Sequence, residues 1–155
     1  MPVIHIETLI KADIETCFDL ARSIDLHLES TKHTGETAIA GRTSGLIEMG
    51  ETVTWRAKHL GIWQTFTSII PQMQRPVLFI DEMQRGAFKS LRHEHHFKQV
   101  NGGILMTDLL TFQSPLGLLG AIANKLFLTR YLTNLLLQRN EVIKLHAENN
   151  DLCAD

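Results

Sequence analysis

The 155-residue sequence contains few cysteines, few prolines and no long uninterrupted hydrophobic run. Its two cysteines, Cys17 and Cys153, form neither the spacing of a zinc site nor a disulfide framework. The most apolar third of the chain is interrupted by polar side chains at Lys125, Arg130, Asn134 and Gln138. These interruptions exclude a membrane-spanning helix there. The N-terminus lacks the basic start and apolar core of a signal peptide, so we expect a cytosolic protein.

The sequence also lacks an excess of either charge, since 15 basic and 17 acidic residues leave a formal net charge of −2. This balance gives no electrostatic reason to expect a nucleic acid or an anionic membrane as a partner. A content of 44% hydrophobic and 21% charged residues is typical of a globular protein. The length favours one domain with a substantial core. We assign this domain to residues 1–148 and predict that residues 149–155 form a flexible polar tail.

Six β-strands and two short helices are predicted before the last third of the chain. Alternating polarity and turn signals place the strands at Val3–Ile10, Glu51–Lys58, Ile62–Ile70, Val77–Arg85, Phe88–Val100 and Gly103–Phe112. The helices follow the first strand, one from the capping residue Asp13 and one over Asp25–Ser30. Four glycines between residues 35 and 50 match neither phosphate-binding motif, which indicates a winding surface connection. The five consecutive strands after it favour an antiparallel meander.

The last third, from Ser114 to about His146, is predicted to form one long helix. Ser114-Pro115 is a typical helix opening, because a hydroxyl caps free backbone N–H groups and proline suits the first helical position. Beyond it, apolar residues recur at spacings of three and four, which places them on one stripe. A helix of about 30 residues would be about 45 Å long, and its stripe needs a protein surface to lie against. Both a plain globular core and the roof of a cavity would meet this need.

This order of elements resembles the START/polyketide-cyclase superfamily, also called SRPBCC or helix-grip. Within it, the closest likeness is to bacterial ligand-binding members, some of which are labelled cell-division-inhibitor-like. The segments that carry it are GETVTWRA at 50–57, Asp81-Glu82, RHEHHF at 92–97, Met106-Thr107-Asp108 and PLGLLG at 115–120. Gly86-Ala87-Phe88 departs from the usual Gly-Pro-Phe. The resemblance implies an α+β fold in which a curved antiparallel sheet wraps the terminal helix, and a cavity for a hydrophobic ligand. It does not imply an activity, because the superfamily includes carriers, receptors and enzymes.

Alternation and register place a polar cluster on the inner face of the sheet. His93 and His95 share a strand face with apolar residues, whereas their neighbours on the other face are polar, so we expect both histidines to point inward. Asn101-Gly102 is a strong hairpin signal, and a two-residue turn there places His95 opposite Asp108. Directly opposed side chains can share a hydrogen bond. On the next strand, Asp81 points the same way and is expected near His93.

The cluster of Asp81, His93, His95 and Asp108 is open to several interpretations. In the first, the four side chains only satisfy one another inside the fold, since buried polar groups need partners. Alternatively, they orient the polar end of an apolar ligand, or an Asp–His pair acts as a general base. Metal binding by the two histidines lacks a third ligand placed by spacing. We therefore predict no metal and no cofactor.

We predict that the protein binds a small hydrophobic or amphipathic molecule between the sheet and the terminal helix, as a carrier or sensor. The four polar residues would hold the polar end of the ligand. The cavity would be lined by Val53, Trp55, Ile62, Phe66, Phe79, Leu91, Phe97, Met106, Leu110, Leu119, Ala123 and Leu126. The alternative is a cyclase- or hydrolase-like enzyme, which requires a solvent-reachable His95 with a free nitrogen facing the cavity. An interaction module would instead have a filled interior and an exposed apolar patch.

Overall fold

Seven antiparallel strands form one sheet, and a long C-terminal helix crosses its inner face. The computed structural model describes the backbone of residues 1–114 and 121–153 and the side chains of residues 1–114 and 125–150. The strands are β1 (Val3–Ile10), β2 (Thr37–Gly41), β3 (Thr52–His59), β4 (Ile62–Gln74), β5 (Leu78–Arg85), β6 (Ser90–Val100) and β7 (Gly103–Gln113). The helices are α1 (Ile14–Ala21), α2 (Ile24–Ser30) and α3 (Ala121–Cys153). The sheet order β1-β7-β6-β5-β4-β3-β2 confirms the predicted meander, to which β1 adds beside β7.

Two features of the sheet differ from the prediction. The region predicted as a winding connection contains β2, a short edge strand of the small residues TAIAG, which gave no clear alternation. The strand predicted to end at Ile70 is longer, because β4 continues through Pro71 to Gln74. The pairing of β4 with β5 shifts between Ile69 and Gln72, so the proline lies at an irregularity of the kind that tolerates a missing N–H donor.

The two short helices begin at capping side chains. Asp13 caps α1 as predicted, and its carboxylate accepts hydrogen bonds from the Thr16 backbone N–H and hydroxyl, both at 2.7 Å. The second helix begins one residue earlier than predicted, because the Ser23 hydroxyl accepts from the backbone N–H of Leu26. Together these helices cover one end of the inner face of the sheet.

Removing the first cap tests this local account. We expect Asp13→Ala to lower the free energy of unfolding by about 1 kcal/mol, because the first turn of α1 loses its side-chain acceptor. Urea unfolding followed by circular dichroism measures the change. Glu15→Ala is a matched control that removes an exposed carboxylate from the first turn of α1 while leaving the Asp13 cap in place. A loss as large in the control would contradict the assignment of the effect to capping.

Helix α3 is 33 residues long, about 50 Å. Its predicted opening at Ser114-Pro115 falls partly outside the described residues, because Pro115 is not among them. At the other end the helix continues past His146 to Cys153, so the backbone of residues 149–153 is helical, and the flexibility expected of residues 149–155 stays a prediction. No helix in the described part of the chain is long and apolar enough to cross a membrane.

The buried apolar side chains form two clusters, and a polar layer separates them. The first cluster packs around Phe18 of α1, and the second around Phe112 of β7. The polar layer consists of Thr8, His93, His95, Asp108, Arg139 and Asn140. On each of four elements, the polar residues lie between a residue of the second cluster and a residue of the first. The series are Ile6, Thr8 and Ile10 on β1; Leu110, Asp108 and Met106 on β7; Leu91, His93, His95 and Phe97 on β6; and Leu136, Arg139, Asn140 and Ile143 on α3. The polar layer therefore crosses the whole interior, from β1 through the sheet to α3.

Candidate functional site

The predicted register brings the histidines and carboxylates together on the inner face of the sheet. Val100 pairs with Gly103, and His95 lies opposite Asp108, as the hairpin signal predicted. On the other side, Asp81 of β5 is the register partner of His93. Both histidines and Asp108 are buried, and the side chain of Asp81 is 24% exposed. All four residues thus lie where alternation and register predicted them.

The buried carboxylate of Asp108 is the centre of the polar layer. The Nε2 of His93 donates to its Oδ1 at 2.7 Å, and the amide of Asn140 donates to its Oδ2 at 2.7 Å. The guanidinium of Arg139 reaches the same Oδ1 at 3.4 Å and also donates to the backbone oxygen of Ala21 at 3.0 Å. Each oxygen of this buried charge therefore has a donor, which offsets the cost of removing it from water.

The hydrogen bonds of the histidines run diagonally rather than to the residue directly opposite. His95 bonds through Nε2 to Oδ2 of Asp81 at 3.2 Å, although its register partner is Asp108. His93 bonds to Asp108, although its register partners are Asp81 and Leu110. The expected pairing of His95 with Asp108 persists as an electrostatic contact, with Nδ1 of His95 3.3 Å from Oδ1 of Asp108. The two imidazoles lie against each other, with ring centroids 3.8 Å apart.

Burial and neighbouring charges set the protonation of the cluster. Burial by itself raises the pKa of Asp108, but contacts with His93 and His95 and the charge of Arg139 outweigh it and hold this pKa well below its usual value. The same competition lowers the pKa of Asp81, where the hydrogen bond from His95 is the largest opposing contribution. Burial and the neighbouring His95 lower the pKa of His93 despite the carboxylates. Near neutral pH, both carboxylates are therefore ionised and His93 is neutral.

Donor and acceptor roles then identify the free nitrogen of the site. A carboxylate only accepts, so the neutral imidazole of His93 carries its proton on Nε2 and has a lone pair on Nδ1. This Nδ1 has no hydrogen-bond partner among the described residues. If it were fully enclosed, it would be an unsatisfied buried polar atom, and the described residues contain no such side-chain atom. Since His93 lines a cavity, we conclude that its Nδ1 is the atom that the cavity reaches.

His95 has no such free nitrogen. Its Nδ1 lies 3.4 Å from the guanidinium of Arg139 and 3.3 Å from Oδ1 of Asp108, so this nitrogen is engaged within the protein. Its Nε2 bonds to Oδ2 of Asp81. The residue is only 2% exposed, and its ring stacks on Phe79 at a centroid distance of 4.1 Å. The requirement of the enzymatic alternative, a reachable His95 with a free nitrogen, is therefore not met.

A cavity of about 290 Å³ lies between the sheet and α3, in contact with this cluster. The predicted residues that line it are Val53, Trp55, Phe66, Phe79, Asp81, Leu91, His93, His95 and Leu110. The remaining lining side chains are divided about equally between apolar and polar ones, and on α3 the apolar ones are Leu128, Leu132, Leu135 and Leu136. The histidine–carboxylate cluster thus forms one wall of the chamber, and further polar groups, among them His27, His59 and Ser68, lie elsewhere in its lining.

Several predicted lining residues lie elsewhere. Phe97 and Met106 point inward as expected but are buried in the cluster around Phe18, because α1 covers that end of the sheet. Asp108 is behind the two imidazoles and does not reach the cavity. Leu126 and Ile62 are 72% and 63% exposed, so their assignment to the cavity wall is wrong. Leu119 and the side chain of Ala123 lie outside the described residues.

Sequence reasoning missed the contribution of α3 to the polar cluster. Arg139 lies three residues after Leu136 and four before Ile143, so it occupies the apolar stripe of the helix. An arginine in such a stripe is a signal for a buried carboxylate partner, since an unpaired buried charge is costly. The partner itself is 31 residues away in the sequence and could not be derived from local pattern.

A second polar contact lies in the cavity wall, away from the cluster. His59 at the end of β3 bonds through Nδ1 to the hydroxyl of Tyr131 on α3 at 2.7 Å. Burial lowers the pKa of His59 and raises the pKa of Tyr131, so both are neutral near pH 7. The hydroxyl of Tyr131 is thus bonded to the sheet. This contact joins α3 to β3 across the cavity.

No protein-family model and no curated protein matches the sequence. The fold, in contrast, matches solved structures over nearly the whole chain. A protein of Thermus thermophilus has a TM-score of 0.70 at 17% identity, with 92% of this chain and 97% of that chain covered. The major latex-like protein 151 of Panax ginseng has 0.69 at 18%, with 94% and 97% covered. The KanY protein has 0.70 at 16%, with 95% and 97% covered.

These matches establish the class of fold. The chain has the helix-grip α+β fold that the resemblance to the START/polyketide-cyclase superfamily implied. Membership of the bacterial cell-division-inhibitor-like subgroup stays a prediction.

Proposed function

We propose that the protein binds a small, largely apolar molecule in the cavity between the sheet and α3, as a carrier or sensor. The observation that carries the proposal is the cavity itself, a chamber of about 290 Å³ whose walls combine many apolar side chains with several polar groups. Ligand sites typically have this character, with hydrophobic walls and a small number of polar groups that fix orientation. The volume is near the lower end of the usual range of about 300–1,000 Å³, which favours a small ligand.

The polar end of the ligand is proposed to meet the wall formed by Asp81 and His93. Nδ1 of His93 is a lone-pair acceptor, and Asp81 is an ionised carboxylate with part of its side chain exposed. Both groups favour a ligand that donates a hydrogen bond, such as a hydroxyl or an N–H group. His95 and Asp108 support this wall from behind rather than contacting the ligand themselves, because their polar atoms are engaged within the protein.

Filling the cavity tests the proposal. Ala57 is buried on β3 and lines the chamber, so Ala57→Phe would place a ring inside it. We expect binding of the neutral fluorophore N-phenyl-1-naphthylamine to weaken at least tenfold, measured by fluorescence titration. The free energy of unfolding should change by less than about 1 kcal/mol, because the ring enters empty space instead of a packed core, where overpacking costs about 1–3 kcal/mol.

The matched control is Ala40→Phe, which makes the same change at an exposed position of the edge strand β2. This variant should bind the fluorophore as the wild type does. Unchanged binding by Ala57→Phe would place the fluorophore outside the chamber and contradict the proposal. A large loss of stability in the same variant would mean that the interior has no room for a ligand.

A further inference from the structure

We propose that Asp81, His93 and His95 form a binding site for one divalent transition-metal ion, such as Zn²⁺, at the polar wall of the cavity. One ligand atom from each of the three residues lies within 4.8 Å of the other two. A tetrahedral ion with bonds of about 2.1 Å holds its ligand atoms about 3.4 Å apart. Side-chain shifts of little more than an ångström would therefore complete the coordination. The third ligand that spacing alone could not supply to the two histidines comes from β5.

The hydrogen bonds behind the histidines have the arrangement that metal sites use. A histidine that binds a metal through one nitrogen almost always donates its other N–H to a carboxylate or carbonyl, which fixes the tautomer and the ring. His93 already donates Nε2–H to Asp108, and this leaves Nδ1 as a free lone pair. Nδ1 of His95 lies 3.3 Å from the same carboxylate oxygen. One buried carboxylate thus supports both imidazoles.

Coordination through Nε2 of His95 agrees with the contacts of its other nitrogen. In the metal-free protein Nε2 bonds to Asp81, which would itself become a ligand of the ion. With the ion on Nε2, the proton of the neutral imidazole lies on Nδ1 and can be donated to Asp108. The guanidinium of Arg139 keeps its other acceptors, including the backbone oxygen of Ala21.

The charge and the exposure of the site also suit a cation. Two carboxylates, Asp81 and Asp108, face one guanidinium, so the cluster has a net charge of −1 when both imidazoles are neutral. Two imidazoles and one carboxylate are ligands that Zn²⁺ and its first-row neighbours accept. Three protein ligands leave a fourth position on the cavity side, where Asp81 is partly exposed. A small ligand in the chamber would reach the ion at this position.

The experiment is a titration of chelator-treated full-length protein with Co²⁺, a spectroscopic substitute for Zn²⁺, followed by competition with Zn²⁺. We expect one equivalent to bind, with visible absorption bands that Zn²⁺ removes. Asp81→Asn and His93→Gln should each weaken binding at least tenfold. Asp81→Asn keeps an acceptor for His95 at a partly exposed position, so it tests the site even if the His93 variant fails to fold. Nitrogen-15 spectra of the metal-bound protein should show the proton of His95 on Nδ1.

His96→Gln is the matched control, because His96 lies one residue further along β6 on the outer face, where it bonds to Glu94. It should bind Co²⁺ within twofold of the wild type. The proposal is overturned if the protein takes up no Co²⁺ at micromolar concentration. It is equally overturned if binding survives Asp81→Asn and His93→Gln, since surface histidines would then hold the ion. Because the titration uses the metal alone, its failure would leave the fluorophore binding unaffected.

Discussion

Replacing Asp108 by alanine is expected to lower the free energy of unfolding by about 3–5 kcal/mol, because it leaves a buried guanidinium without its counter-charge. Asp108 is fully buried and accepts from His93, Asn140 and Arg139. Removing it also leaves the amide NH₂ group of Asn140 with the hydroxyl of Thr8 as its remaining side-chain acceptor. Guanidinium chloride unfolding of the chelator-treated protein measures the change, so that no bound metal contributes to stability.

Glu7→Ala provides the control for this substitution. Glu7 is an exposed carboxylate whose ion pair with His5 spans 3.4 Å between half-exposed side chains. Its loss should change stability by no more than about 0.5 kcal/mol. A second variant, Asp108→Ala combined with Arg139→Met, also removes the unpaired guanidinium charge and should recover part of the lost stability. Failure of the double variant to recover any would contradict the view that the buried guanidinium causes the loss.

Replacing Phe18 by alanine is expected to cost a similar amount, about 3–5 kcal/mol, for an apolar reason. Its fully buried ring meets the rings of Phe79 and Phe97 edge-on, with centroid distances of 5.4 Å to each. The substitution removes these contacts and leaves a cavity where α1 packs on the sheet. For a protein of this size the loss corresponds to a fall in melting temperature of about 10 °C, measurable by calorimetry.

Phe127→Ala is the matched control, because the side chain of Phe127 on α3 is about half exposed. It should change the free energy of unfolding by less than about 0.5 kcal/mol. An equal loss in both variants would mean that the ring of Phe18 contributes no more to stability than a ring on the surface.

The hairpin between β6 and β7 shows why so much of the sheet could be predicted. A two-residue Asn-Gly turn determines every pair along both strands, and alternation then decides which side chains face inward. The positions of His93, His95 and Asp108 therefore follow from the amino-acid sequence. The hydrogen bonds of these side chains do not follow from the sequence. Each imidazole is long enough to bond diagonally, to a residue of the next cross-strand pair and not to the residue directly opposite. Register determines which backbones are opposite, whereas side-chain length determines which polar atoms meet.

The contributions of α3 mark the limit of local reasoning. The apolar stripe of α3 predicted that the helix packs on the sheet. It did not predict the position of the helix along its own axis relative to the strands, and this position determines that Arg139 contacts Asp108. The same uncertainty explains why Leu126 was assigned to the cavity wall. Strand β2 was missed for a different reason, since its small residues and flanking glycines lack the alternation of a half-buried strand.

The polar layer between the two apolar clusters restricts the motion of the long helix. A displacement of α3 along its axis by one turn, about 5.4 Å, would move the guanidinium of Arg139 away from Asp108 and from the backbone oxygen of Ala21. The helix thus has a single axial setting, and its C-terminal half is anchored to β1 and β7. If the cavity is to accommodate a larger ligand, the parts that move have to be the turns of α3 before Leu136 or the facing strands β3 and β4. The His59–Tyr131 contact is then the first bond that such an expansion has to break.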